Sequence, residues 1–139
     1  MSDIIRVYTD GASRGNPGLA GIGIVFCDDG NEILETHKKF LGKFTNNSAE
    51  YLALIESVKI LRNSELIFSH VNFYLDSELV VKQIRGEYKI KHADLIKLSL
   101  EFWKEIKLLN KNFSIYHIPR DKNKTADKLA NEAIDEKNS

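Results

Sequence analysis

Asp10, Glu50, Asp76 and Asp127 are the side chains of this sequence best suited to do chemistry together. Each stands where the hydropathy pattern changes, at the expected end of a strand or start of a helix, and sites in sheets flanked by helices are built at such boundaries. Carboxylate oxygens are hard ligands for cations such as Mg2+ and Mn2+. Gathered without a cation, four of them would repel one another. Each acid also has a purely structural reading. Asp10-Gly11 is a common turn dipeptide, and Glu50, three residues after Asn47, fits a capping box. Asp76 is able to cap a helix beginning at Ser77, and Asp127 falls in a first helical turn, where an anion is favoured. Taken singly the structural readings prevail, because boundary acids abound in ordinary domains. Only the combination argues for a site.

Acids so far apart in the chain converge only if the elements between them bring them together. Residues 4–9 are β-rich and are stopped by Asp10-Gly11, after which Gly15-Asn16-Pro17-Gly18 suits a tight turn. Strands are predicted at 21–26 and 33–41, joined by a turn at Asp28-Asp29-Gly30-Asn31. Over 48–62 the period changes, with Leu52, Ile55, Val58 and Leu61 at helical spacing and Asn47 at the N-cap position. A strand over 71–75 follows, then helices over 77–85 and 93–109 separated by a break containing Gly86. A short strand at 113–117 leads through Pro119 and a charged loop to a last helix, 125 to about 136. That helix presents Ala126, Leu129, Ala130 and Ala133 on one stripe, and Lys137 to Ser139 are expected to fray. The class is α/β: a mixed five-stranded sheet, three antiparallel hairpin strands plus two parallel strands, with helices on both faces. If the first and fourth strands pair, their ends lie about 5 Å apart. Asp10 and Asp76 then face each other, and helix starts add Glu50 and Asp127.

The 139 residues match one domain, and 42% apolar against 29% charged residues is a globular composition. No apolar run is long enough to span a bilayer, and the first residues read as a strand and not as a secretory leader, so a cytosolic protein without membrane association is expected. Cys27 is the single cysteine, so no internal disulfide or thiolate cluster forms. Twenty basic and twenty acidic residues cancel, which excludes a whole-molecule positive field as the means of attracting nucleic acid. A local face remains: Lys82, Arg85, Lys89, Lys91 and Lys97 oppose only Glu87 and Asp94 over residues 81–97, although a lysine-rich solvated helix reads the same way. No long exposed apolar stripe is expected once the core is assigned, so the chain is expected to be a monomer.

Four segments carry a resemblance: Thr9-Asp10-Gly11-Ala12-Ser13-Arg14-Gly15-Asn16-Pro17-Gly18, Thr45-Asn46-Asn47-Ser48-Ala49-Glu50, Leu75-Asp76-Ser77, and Ala126-Asp127-Lys128-Leu129-Ala130-Asn131-Glu132-Ala133. In this order and spacing they resemble ribonuclease H of type 1 over almost the whole chain, 1–139 being one such domain. The resemblance implies a ribonuclease H-like fold and an endoribonuclease that hydrolyses the RNA strand of RNA-DNA hybrids, leaving 5′-phosphate and 3′-hydroxyl ends. It implies two Mg2+ or Mn2+ ions held by Asp10, Glu50, Asp76 and Asp127, with Asp10 bridging them and Glu50 also orienting the RNA side. By the same resemblance Gly11 and Asn47 match positions that contact sugar and base edges in the minor groove, including the 2′-hydroxyl. Thr45 and Asn16 match positions that hold a phosphate of the DNA strand. Ser13 and Asn46, in the same two motifs, join the substrate-binding set.

The sequence departs from the family pattern in places. Many bacterial relatives carry a histidine in the loop before the last aspartate. Here the loop reads Ile118-Pro119-Arg120-Asp121-Lys122-Asn123-Lys124-Thr125-Ala126-Asp127, closer to archaeal and plant-like members. Arg120 is the expected replacement, and because a guanidinium keeps its charge it would hold a phosphate but relay protons poorly. The step from Arg85 to Ala93 leaves no room for the basic handle of some relatives, and Glu78 stands where a glutamine often contacts RNA. Two rivals remain. An exonuclease or strand-transfer enzyme on the same sheet is opposed by the Thr45-Asn46-Asn47 loop, and a silent hybrid-binding module by the presence of all four acids.

Overall fold

The structure, a computed structural model, describes residues 3–138; of the tail expected to fray, Lys137 and Asn138 close a helix and Ser139 lies outside the described residues. A long hairpin opens the chain, β1 (Ile4–Gly15) antiparallel to β2 (Gly18–Cys27), and β3 (Ile33–Phe44) adds antiparallel to β2. β4 (His70–Leu75) lies parallel to β1 and β5 (Asn112–His117) parallel to β4, so the sheet order is β3-β2-β1-β4-β5. The helices are α1 (Asn46–Arg62), α2 (Glu78–Ile84), α3 (Ala93–Leu109) and α4 (Lys124–Asn138), with a 3₁₀ turn over Arg120–Lys122. This is the expected mixed five-stranded sheet, and α3 has the bounds its periodicity predicts.

One boundary differs in an informative way. β1 does not stop at Asp10-Gly11; it continues to Gly15 because its ladder with β2 runs on to Gly15↔Gly18. What ends there is the ladder with β4, whose last register pair is Thr9↔Leu75. The next residues on the two strands are Asp10 and Asp76. A turn dipeptide cannot reveal this, because β1 has a different partner on each side.

The two faces of the sheet are packed differently. Toward α1, Ile5, Val7, Ile22, Ile24 and Phe26 meet Tyr51, Leu54, Ile55 and Val58, and edge-to-face contacts among Phe73, Phe102 and Phe113 extend this core beneath α3. Toward α4 the contact is close and small: Val25 and Cys27 pack on Ala126, with Tyr8 and Leu129 beside them. A Cβ at Gly21 would sit 2.6 Å from the Ala130 carbonyl oxygen, and one at Gly23 would sit 2.0 Å from that of Ala126. Only glycine lets α4 approach its strand so nearly, which sets the depth of Asp127. Arg14 pins the same helix from the hairpin through Asp135 and Asn131.

The expectation that no exposed apolar stripe remains is corrected. Ile96, Leu100 and Trp103, at helical spacing along the outer side of α3, are 42%, 66% and 42% exposed. The periodicity marks the inner face of α3, Leu95, Ser99, Phe102 and Ile106, and is silent about whether the opposite face is polar. Among the described residues no helix is long and apolar enough to cross a membrane.

Candidate active site

Asp10, Glu50 and Asp76 converge where β1 and β4 part. Each offers a carboxylate oxygen, and the three lie within 4.8 Å of one another. Strand register brings Asp10 and Asp76 side by side, and close backbone packing adds Glu50. A Cβ on Gly11 would lie 2.3 Å from the Ala49 carbonyl and 2.5 Å from the Glu50 amide nitrogen, so only glycine allows α1 to rest here. In that position the Gly11 N–H donates to Glu50 Oε1.

The structural readings of three acids fail for specific reasons. The N-cap of α1 is Thr45, not Asn47: the helix begins earlier than predicted, and Thr45 Oγ1 accepts from the Ser48 N–H at 3.1 Å. Glu50 therefore lies beyond the capping box. Ser77 caps α2 with its own hydroxyl, accepting from Val80 N–H at 3.3 Å, so Asp76 is free of that task. Asp10 is not in a turn.

Burial and proximity make the cluster electrostatically unfavourable as it stands. Asp10 is 5% and Glu50 7% exposed. Desolvation raises the Asp10 pKa far above the usual carboxylate range, and the charges of Glu50 and Asp76 raise it further. Desolvation likewise pushes Glu50 up, to about 7, opposed by hydrogen bonds to Asp10 and the Gly11 N–H and by the more distant charge of Arg120. Asp127 stands outside the tight group of three, yet its side chain also contributes to raising Asp10. Its Oδ1 lies 3.9 Å from the Arg120 guanidinium and accepts from Asn131 Nδ2 at 3.3 Å. Arg120 is 82% exposed, a solvated charge at the rim. A hard divalent cation matches what this donor set lacks: positive charge at short range to several carboxylate oxygens.

The other predicted residues form one network beside the acids. The Ser13 N–H donates to Asn46 Oδ1 at 3.1 Å, the Asn46 N–H to Asn16 Oδ1 at 3.1 Å, and Ser13 Oγ to the Phe44 carbonyl at 2.7 Å. Ser13, Asn16 and Asn46 thus tie the hairpin to the start of α1 with their own side chains, and Thr45 caps that helix. Asn47, exposed in the first turn, borders two clefts. One, of about 250 Å3, is shared with Asn16, Thr45, Ser48, His92, Asp94 and Leu95. The other, of about 570 Å3, includes Gln83, Tyr88, Lys89, Lys91 and His92. The broad cationic face of residues 81–97 narrows accordingly. Lys82 pairs with Glu87 at 3.4 Å, and Arg85 turns to the sheet edge, where Nη2 donates to the Ile115 carbonyl at 2.6 Å. Lys89 and Lys91 are the cations of that face lining the cleft beside Asn47.

Sequence reasoning passed over Asn123. It is 2% exposed, and Nδ2 donates to the Thr9 carbonyl at 2.9 Å and to Asp76 Oδ2 at 3.1 Å. An asparagine four residues before Asp127, just ahead of a predicted helix, was the available signal, but it reads as an ordinary N-cap.

Comparison with known proteins places this arrangement. A family model described as reverse transcriptase-like matches residues 8–133. A protein named ribonuclease HI from Halobacterium salinarum is 37% identical over 132 residues, covering 95% of this chain and 65% of its own length. A bifunctional protein of Mycobacterium tuberculosis is 37% identical over 136 residues, covering 94% of this chain but 35% of its own length, so the chain spans only part of both relatives. Among solved structures, LC11-RNase H1, isolated from compost by a metagenomic approach, superposes with a TM-score of 0.92 at 41% identity, covering 99% of each chain. The same protein in complex with an RNA/DNA hybrid gives a TM-score of 0.87 at 41% identity, covering 97% of this chain and 99% of that one.

Proposed function

This chain belongs to the type 1 ribonuclease H family, and from that premise we propose that it is an endoribonuclease that hydrolyses the RNA strand of RNA-DNA hybrids, leaving 5′-phosphate and 3′-hydroxyl ends. The observation that carries the reading is the convergence of Asp10, Glu50 and Asp76 within 4.8 Å. Together with Asp127 they would hold two divalent cations, Mg2+ or Mn2+. When bound, such ions supply positive charge to an attacking water and to the leaving 3′ oxygen of an in-line displacement.

The residues of the chain do the rest. The Gly11 N–H holds the Glu50 carboxylate toward Asp10, from where it would also orient the RNA strand. The exposed Asn47 amide and the backbone at Gly11 offer contacts to the sugar edge and 2′-hydroxyl, the group that separates RNA from DNA. Asn16 and Thr45 line the smaller cleft, where they would hold a phosphate of the DNA strand, each with donor capacity left over after its hydrogen bond to a backbone N–H, and Ser13 and Asn46 brace them. Asp94 in that cleft weakens its attraction for an anion. Lys89 and Lys91 extend positive charge along the same side. Arg120, within reach of Asp127, would grip a phosphate in place of the absent loop histidine; an unchanged rate across pH in Arg120→Ala would discard that role. All four acids come from one chain, so residues 1–139 are read as one domain whose site is complete without a second copy.

The test is cleavage of labelled RNA-DNA hybrid, double-stranded RNA and double-stranded DNA with Mg2+, Mn2+ or chelator, for the protein and for Asp10→Asn. Hybrid cleavage that needs metal and disappears in the variant is the expected outcome; metal-independent cleavage, or an active variant, overturns the reading.

A further inference from the structure

Asn123 sits between the 3₁₀ turn and α4, where three chain segments that carry acids meet. Its amide nitrogen donates to the carbonyl of Thr9, the residue before Asp10, and to the Asp76 carboxylate itself, at 2.9 and 3.1 Å. Its backbone carbonyl accepts from the Asp127 N–H at 3.1 Å, the first bond of the helix that carries that acid. We propose that Asn123 is a positioning residue whose side chain holds Asp76, and the strand end that carries Asp10, at the spacing at which they bind divalent metal, an inference that rests on the metal-dependent reading of the site given above.

Two features separate this role from that of an ordinary helix cap. An asparagine N-cap turns its side-chain oxygen to the free N–H groups of the first helical turn. Asn123 Oδ1 instead is buried and has no hydrogen-bond partner among the described residues, while the nitrogen is turned to the acids. The reverse orientation is excluded, because Oδ1 would then face the Thr9 carbonyl and the Asp76 carboxylate, acceptor against acceptor. A buried amide oxygen without a donor is costly. The adjoining Thr9 Oγ1 is buried and unpartnered as well, so the segment tolerates two unsatisfied polar atoms that a plain packing site would eliminate. What the arrangement gains is a fixed Asp76 carboxylate and a fixed distance between the ends of β1 and β4. Groups that orient metal-binding carboxylates from one shell out typically change metal affinity on the order of tenfold to a hundredfold when removed.

The experiment measures Mn2+ binding by titration calorimetry on the whole metal-free protein, together with kcat and KM on RNA-DNA hybrid. It compares the unmodified protein with Asn123→Ala, Asn123→Leu, which keeps volume but offers no donor, and Ile106→Val, a stability control in the core beneath α3. Both Asn123 variants are expected to bind Mn2+ on the order of tenfold to a hundredfold more weakly and to lose kcat, with KM changed less than about twofold. Ile106→Val is expected to shift only the melting temperature. Asn123 variants that lose melting temperature but keep Mn2+ affinity and kcat overturn the proposal, while an unmodified protein that binds no Mn2+ overturns the metal-dependent reading with it. Should neither variant fold, the side-chain amide resonance of Asn123 decides: it is expected to move with Mg2+ at the same midpoint as the Asp76 backbone amide, and its indifference to Mg2+ overturns the role.

Discussion

Glu50 and Glu105 are buried to nearly the same degree, 7% and 6% exposed, and their surroundings could hardly differ more. Glu105 reaches from α3 to Arg62 of α1, with Oε2 3.0 Å from the guanidinium, and so ties two helices together beside the similar Lys59–Glu101 contact. Glu50 faces two other carboxylates and a backbone N–H, and the basic group whose charge acts on it, Arg120, is a rim charge 82% exposed. A buried acid given its own cation by the fold is a structural tie. A buried acid grouped with other acids carries a cost that folding alone does not repay, and that cost makes it a candidate ligand.

The largest expected effect comes from removing one charge of the cluster. Asp10→Asn should reduce hybrid cleavage by about a thousandfold or more, the loss of several kcal/mol of transition-state stabilisation. In chelator, however, the same variant should melt at a higher temperature than the unmodified protein, because an amide has no charge to bury or to be repelled by Glu50 and Asp76; a lower melting temperature would mean that Asp10 is a structural residue like Glu105. Arg62→Ala should do the opposite, lowering stability in urea by about 2 kcal/mol because Glu105 loses its cation, with the usual penalty reduced since Arg62 is about a third exposed. Its metal affinity should not change. Replacing both partners, Arg62→Met with Glu105→Leu, should recover most of that stability, and failure to do so would show that the pair is more than a tie.

A smaller effect is expected from pH. The pKa values of Asp10 and Glu50 are raised in the folded chain, whereas unfolded carboxylates titrate near about 4. Their contribution to stability is therefore fully present below about pH 4 and is lost as pH rises through the Glu50 value of about 7 and beyond. In chelator the melting temperature should fall between about pH 5.5 and 8, and millimolar Mg2+ or Mn2+ should remove the decline because cations bind the ionised carboxylates. A melting temperature that rises with pH in chelator would contradict the repulsive picture. The smallest effect should come from Lys89→Ala with Lys91→Ala: KM for hybrid rises about two- to fivefold at low salt and converges with the unmodified protein as salt increases.

The local pattern of the sequence determined the order and type of elements, the bounds of α3, the sheet class, and the four acids worth suspecting, because hydrophobic periodicity and turn chemistry are properties of neighbouring residues. It misjudged the end of the first strand and the cap of α1, since β1 loses its β4 partner after Thr9 but runs on against β2, and Thr45, not Asn47, turns its oxygen to the helix. Only the tertiary structure decided that Asp10, Glu50 and Asp76 meet, that Gly11 and Gly23 are glycines because α1 and α4 rest against the strands there, and that Asn123 joins the ends of two strands to a helix. Those facts depend on distances between segments separated by many residues, and no local signal in the chain encodes such distances.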